Sequence, residues 1–163
     1  MVRVEGEEMW ALLRSLDDPD HLETPADFDP SATRARFDQL LERLDAAFGC
    51  RTDAEQDLED ASLYAHAVVP AEAVASGERL VVCVSKFAPL ATVSIDNPGA
   101  YDTEELEVLL EPDDAARVHA VLDDLGYVVV SEAELWRTYD GPSQITVDPR
   151  FTATWWIRFF DYL

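Results

Sequence analysis

The chain has 163 residues, 48% of them hydrophobic, with 34 acids against 12 bases and a formal net charge of −22. That apolar content over that length suffices for one sizeable core and excludes disorder of the whole chain, while no stretch approaches the ~20 apolar residues of a membrane-spanning helix. The negative field excludes ordinary binding to phosphate backbones or anionic lipid and favours encounter with cationic partners. The acidity is not a tail: dividing the chain after residue 60 leaves 17 acids and 6 bases on each side, and Lys86 is the single lysine. Spread of this kind also fits a solubility or salt adaptation. The first ten residues, MVRVEGEEMW, place three Glu before any apolar stretch, which is not a secretory signal, so a cytoplasmic location is expected.

Met9, Leu12, Leu13 and Leu16 stand at i, i+3, i+4 and i+7, behind Glu5, Glu7 and Glu8 where the helix dipole favours anions. This predicts an amphipathic helix over residues 5–16. Residues 17–30 hold three prolines among five Asp and read as an irregular, solvated connection. Asp29-Pro30 is an N-cap followed by proline at the first helical position, opening a second helix whose stripe is Phe37, Leu40, Leu41, Leu44 and Phe48, with Gly49 as its stop. Arg34 and Asp38 make a favourable i, i+4 pair on its opposite face. An acidic connection follows, carrying Asp53, Glu55, Asp57, Glu59 and Asp60.

Residues 63–69 alternate in the manner of a strand ended by Pro70. Residues 79–97 then read as two strands joined tightly at Phe87-Ala88-Pro89. The first, residues 80–85, is apolar on both alternating sets and belongs in the middle of a sheet. The second, residues 90–95, sets Thr92 and Ser94 opposite Ala91, Val93 and Ile95, which predicts one wet face and a place nearer an edge. Antiparallel pairing of the two follows from the short connection. After Asn97-Pro98-Gly99, Thr103 is positioned to cap a short segment bearing Leu106, Leu109 and Leu110, of a length consistent with helix or strand. Pro112 opens another helix with Val118, Val121, Leu122 and Leu125 on one side and Gly126 at its end. Nine acids face Arg117 alone between residues 102 and 124. A strand over 127–130 follows. Ser131 and Glu134 then have the spacing of a capping box for a short helix with Leu135 and Trp136. Residues 144–147 and 151–160 read as strands, the last with Trp155, Ile157 and Phe159 on one side and Trp156, Arg158 and Phe160 on the other.

The expected fold is α+β, with a mostly antiparallel sheet of about four to six strands and amphipathic helices on one face. A single domain is expected over residues 1–163, with a two-helix segment at about 4–48 packed on a sheet-containing body at about 61–163.

The sequence marks no catalytic residue. Its six glycines form no phosphate loop, neither Cys50 nor Cys83 stands in a C-x-x-C, and His21, His66 and His119 lie too far apart for a zinc signature. No cofactor or metal site is expected. A structural disulfide is disfavoured, and His66 reads as a semi-buried strand residue. The chemical feature that remains is acid beside aromatic. The acids are the residue 53–60 group and Asp102, Glu104, Glu105, Glu107, Asp113 and Asp114; the aromatics are Trp136, Tyr139, Trp155 and Trp156. Acids steer and aromatics anchor in complexes with basic proteins, so these residues form the predicted partner-binding set. The reading that follows is a non-enzymatic acidic module for a basic protein, of immunity or antitoxin type by analogy of composition. The alternatives are a small carboxylate enzyme using a divalent cation held by acids of residues 102–114, or a salt-adapted structural or regulatory protein.

Overall fold

In chain order the elements are β1 (Arg3–Val4), α1 (Gly6–Leu16), α2 (Pro30–Phe48), β2 (Asp53–Gln56), β3 (Ala65–Val69), β4 (Leu80–Val84), β5 (Leu90–Ile95), α3 (Thr103–Leu109), α4 (Pro112–Asp124), β6 (Val128–Val130) and α5 (Trp155–Phe160), with short 3-10 turns at Ala71–Ala73 and Ala133–Trp136. The structure, a computed structural model, describes residues 3–22, 24–56, 65–85 and 87–160. Residues 63 and 64 of the strand expected over 63–69 lie outside them.

The strands form a six-stranded sheet in the order β1-β6-β5-β4-β3-β2. From β2 to β5 the pairing is antiparallel, whereas β5 with β6 and β6 with β1 are parallel, so the sheet is mixed. The parallel step from β5 to β6 requires a crossover, and α3 and α4 supply it. β4 is central and buried throughout, as its doubly apolar sequence demands. β5 corrects the expectation of an edge strand. It lies between β4 and β6, all six of its residues are buried, and the hydroxyls of Thr92 and Ser94 have no hydrogen-bond partner among the described residues.

Helices cover both faces of the sheet, not one. Phe37, Leu40 and Leu44 of α2 and Val118, Val121 and Leu122 of α4 pack with Ala67, Val82 and Val93 on one side. Met9 and Leu13 of α1 and Trp155, Trp156, Phe159 and Phe160 of α5 pack with Val81 and Cys83 on the other. The two N-terminal helices thus do not form a unit of their own; the sheet separates them. Asp29 caps α2 by accepting from the Ala32 N–H at 3.0 Å, and the helix stops at Gly49. The segment left open between helix and strand is the helix α3, capped by Asp102 and not by Thr103. Asp102 accepts from the Glu105 N–H at 2.9 Å while Glu105 accepts from the Asp102 N–H at 3.0 Å.

The C-terminal segment departs furthest from the sequence reading. Residues 144–147 have no regular structure, and residues 155–160 are helical. What decides this is i, i+4 aromatic pairing: Trp155 stacks on Phe159 with centroids 6.0 Å apart, and Trp156 on Phe160 at 5.0 Å. The predicted capping box at Ser131 does not form, since the 3-10 turn begins after Glu132 with no side-chain cap. Neither Cys50 nor Cys83 is in a disulfide among the described residues.

Arg158, in the middle of α5, is fully buried and fixes the segment between α1 and α2. Its Nε donates to Asp17 Oδ1 at 2.8 Å, and its terminal nitrogens donate to the carbonyls of Leu22, Asp18 and His21 at 3.0, 3.1 and 3.3 Å. Asp17 also accepts from the hydroxyls of Ser143, at 2.6 Å, and Tyr139. Gly141 is required here by close approach: a Cβ on it would stand 2.6 Å from Tyr139 Cζ.

Candidate functional site

The predicted acidic residues do not gather on one surface. Asp53 and Glu55 lie on β2, the edge strand at the far end of the sheet from β6, and Asp53 is exposed. Asp57, Glu59 and Asp60 lie outside the described residues. In the second group, Glu104 and Glu107 project from α3 and Asp113 from the first turn of α4, all exposed, and Asp102 and Glu105 are exposed while serving the α3 cap. Asp114 is a correction. It is 2% exposed, accepts from the Ala75 N–H at 2.8 Å and pairs with Arg117 at 2.8 Å, so it secures the turn before β4 and is closed to a partner. The acids of residues 102–114 therefore run along two helices. Among the described residues no three His, Cys, Asp or Glu side chains converge in a way that could hold a metal ion.

The four predicted aromatics divide in the same way. Trp155 and Trp156 are 0% and 3% exposed and belong to the core, which overturns their assignment as contact residues. Tyr139 is half-buried and donates its hydroxyl to Asp17, with burial and that carboxylate raising its pKa. Trp136 alone is exposed, at 40%. Its ring is held from three directions. It stacks on Trp156 with centroids 5.0 Å apart and planes 18° apart, its Nε1 donates to Glu132 Oε1 at 2.6 Å, and it covers Gly99. Gly99 has φ +85°, and a Cβ there would lie 3.2 Å from Trp136 Cζ2, so both backbone conformation and space call for glycine. Glu132 also accepts from the Gly99 N–H; burial raises its pKa, and these two donors oppose the rise. The Trp136 indole is thus a fixed ridge and not a free side chain.

A shallow cleft lies on each side of that ridge, each of about 570 Å³. One is lined by Pro98, Ala100, Tyr101 and Asp102, the other by Val147, Asp148, Phe151 and Ile157, and both include Trp136. Phe151 is 65% exposed. Asp148 holds Arg150 through two bonds of 3.0 and 2.9 Å, which keeps the Asp148 carboxyl below its usual range. The sequence reading missed Phe151 and Glu132. Phe151 was absorbed into a strand that does not exist, whereas the Glu132-to-Trp136 spacing of one helical turn carried a usable signal.

The chain's cations are largely committed to internal pairs. Arg3, Arg14, Arg34, Arg43, Arg79, Arg117, Arg150 and Arg158 each contact a carboxylate. No family model, curated protein or solved structure matches this chain.

Proposed function

We propose that the protein is a non-enzymatic acidic binding module for a basic protein partner, in the manner of an immunity or antitoxin inhibitor, and that Trp136 is the centre of its contact surface. The observation that carries this reading is an aromatic ring pinned in place yet 40% exposed, beside the acidic helix α3. A side chain immobilised before binding loses little entropy on binding, and tryptophans on such ridges are the residues that dominate interface energies. Phe151 widens the apolar area on one side, and Asp102, Glu104, Glu105 and Glu107 supply the steering field on the other.

The test is affinity isolation from the native host at low salt with the wild type, Trp136→Ala and Glu104→Lys/Glu107→Lys. Retention of one basic protein by the wild type, lost on Trp136→Ala and weakened by the charge reversal, supports the reading. Retention of none, or equal retention by all three proteins with unchanged melting temperatures, defeats it.

A further inference from the structure

The two clefts that flank Trp136 differ in chemistry. On the Phe151 side the carboxylate in the lining, Asp148, is already held by Arg150 through bonds of 3.0 and 2.9 Å, and Val147, Phe151 and Ile157 add apolar surface. The other cleft is built by Pro98, Ala100, Tyr101, Asp102 and Trp136, with a carboxylate and no basic residue in its lining.

Two walls of this second cleft are aromatic, and both are tied to acids. The Trp136 indole donates to Glu132 Oε1 at 2.6 Å, and the Tyr101 hydroxyl donates to Glu78 Oε2 at 2.6 Å. The bond to Glu78 first, then partial burial and the charges of Glu78, Asp96 and Glu105, hold the Tyr101 phenol above its usual pKa, so that ring stands in a negative surround. Asp96 is balanced by Arg79, whose Nε lies 3.2 Å away. Asp102 and Glu105 accept each other's backbone N–H in the α3 cap and are both exposed. Neutral N–H donors leave those two carboxylates charged.

Aromatic walls in a negative field suit a cation. A bare metal ion needs several converging oxygen ligands, and no such group exists among the described residues. A lysine ammonium is a compact, strongly hydrated point charge that gains little from a flat wall. A guanidinium is planar and weakly hydrated, stacks on an aromatic face and presents a fork of donors to a carboxylate.

We propose that the cleft of Tyr101, Asp102 and Trp136 receives an arginine side chain of the basic partner, its guanidinium over the exposed part of the Trp136 ring and forked to Asp102. This rests on the protein-binding reading and deepens it by naming the partner residue that the ridge holds.

The test is protein-observed NMR titration with three capped amino acids: N-acetylarginine amide, N-acetyllysine amide with a free side-chain amine, and N-acetylcitrulline amide, which keeps the arginine shape without its charge. The arginine probe should give saturable shifts at the amides of Gly99, Tyr101 and Asp102 and at the Trp136 indole N–H. The lysine probe should bind more weakly, and the citrulline probe about tenfold more weakly or worse, the equivalent of one charge-assisted hydrogen bond. Asp102→Asn should lose about tenfold for the arginine probe at an unchanged melting temperature, because asparagine caps a helix as well as aspartate does. The proposal is overturned if the arginine probe gives no saturable shifts, if its shifts fall on the Phe151 side instead, if lysine or citrulline binds as well, or if Asp102→Asn binds like the wild type. A Trp136-dependent basic partner in the affinity isolation, together with no response to the arginine probe, would overturn this assignment and leave the protein-binding reading standing. No partner at all, together with a binding probe, would defeat that reading alone.

Discussion

Removing one member of the Arg158–Asp17 pair should be among the most damaging single changes available to this chain. Both side chains are fully buried, and Arg158 also holds the carbonyls of Asp18, His21 and Leu22. Asp17→Asn keeps the shape of the side chain but leaves a guanidinium buried without a counter-charge, for which the expected cost is about 3–5 kcal/mol. With a urea m-value of about 2 kcal/mol/M, a loss of about 4 kcal/mol moves the unfolding midpoint down by about 2 M. The corresponding fall in melting temperature is about 8–16 °C for a chain of this length. Arg158→Met leaves Asp17 with only its two hydroxyl donors and should cost a similar amount. The two losses should not add: Asp17→Asn/Arg158→Met leaves no buried charge, so it should be no less stable than the worse single variant. Urea unfolding of the three variants decides the matter. An Asp17→Asn shift below about 0.5 M, or strictly additive losses, would show that the pair does not organise the α1–α2 connection.

Other consequences are smaller. Thr92→Val replaces a buried hydroxyl that has no partner among the described residues and should stabilise by about 1 kcal/mol, read as a higher urea midpoint. Gly99→Ala combines a positive φ with a contact on Trp136 and should cost about 1–3 kcal/mol, with a change in tryptophan emission that reports displacement of the ring. His119 is buried beside Arg3, and burial first and Arg3 second hold its pKa below the ordinary 6.5, with Asp123 opposing. The unfolded chain therefore binds this proton more tightly. The stability contributed by His119 is fully present above pH 6.5 and is lost as the pH falls through the folded-state value. The difference in stability between wild type and His119→Gln should accordingly shrink on acidification from pH 7, which melting curves across that range will measure.

Local signals in the sequence located the elements whose identity depends on local physics. The Asp29-Pro30 start and Gly49 stop of α2, the α4 stripe and the β4–β5 pair all stand where their residues place them. What the sequence concealed depends on distant residues. Thr92 and Ser94 looked wet because they are polar, and only the docking of β6 and the covering helices buries them. Residues 155–160 looked like a strand because bulky aromatics favour sheets, although the pairs Trp155–Phe159 and Trp156–Phe160 were already at helical spacing. The 53–60 acidic connection contains a strand, β2, because β3 offers it an edge. Asp17 was one aspartate among five in an irregular stretch, and nothing local marked it as the counter-charge of a residue 141 positions away. Of the residues the sequence put forward for a contact surface, Trp136 and the α3 acids are exposed, whereas Trp155, Trp156 and Asp114 carried equal weight there and their burial emerges only from the packed structure.

The central claim, recognition of a basic protein through a fixed tryptophan in an acidic field, is tested most directly by the salt dependence of affinity for the protein isolated from the host. Titration calorimetry across a salt series should show affinity falling steeply with added salt. Trp136→Ala should weaken binding at every salt concentration without changing that slope, because the ring anchors and the acids steer. An affinity indifferent to salt, or unaltered by Trp136→Ala, would contradict the account.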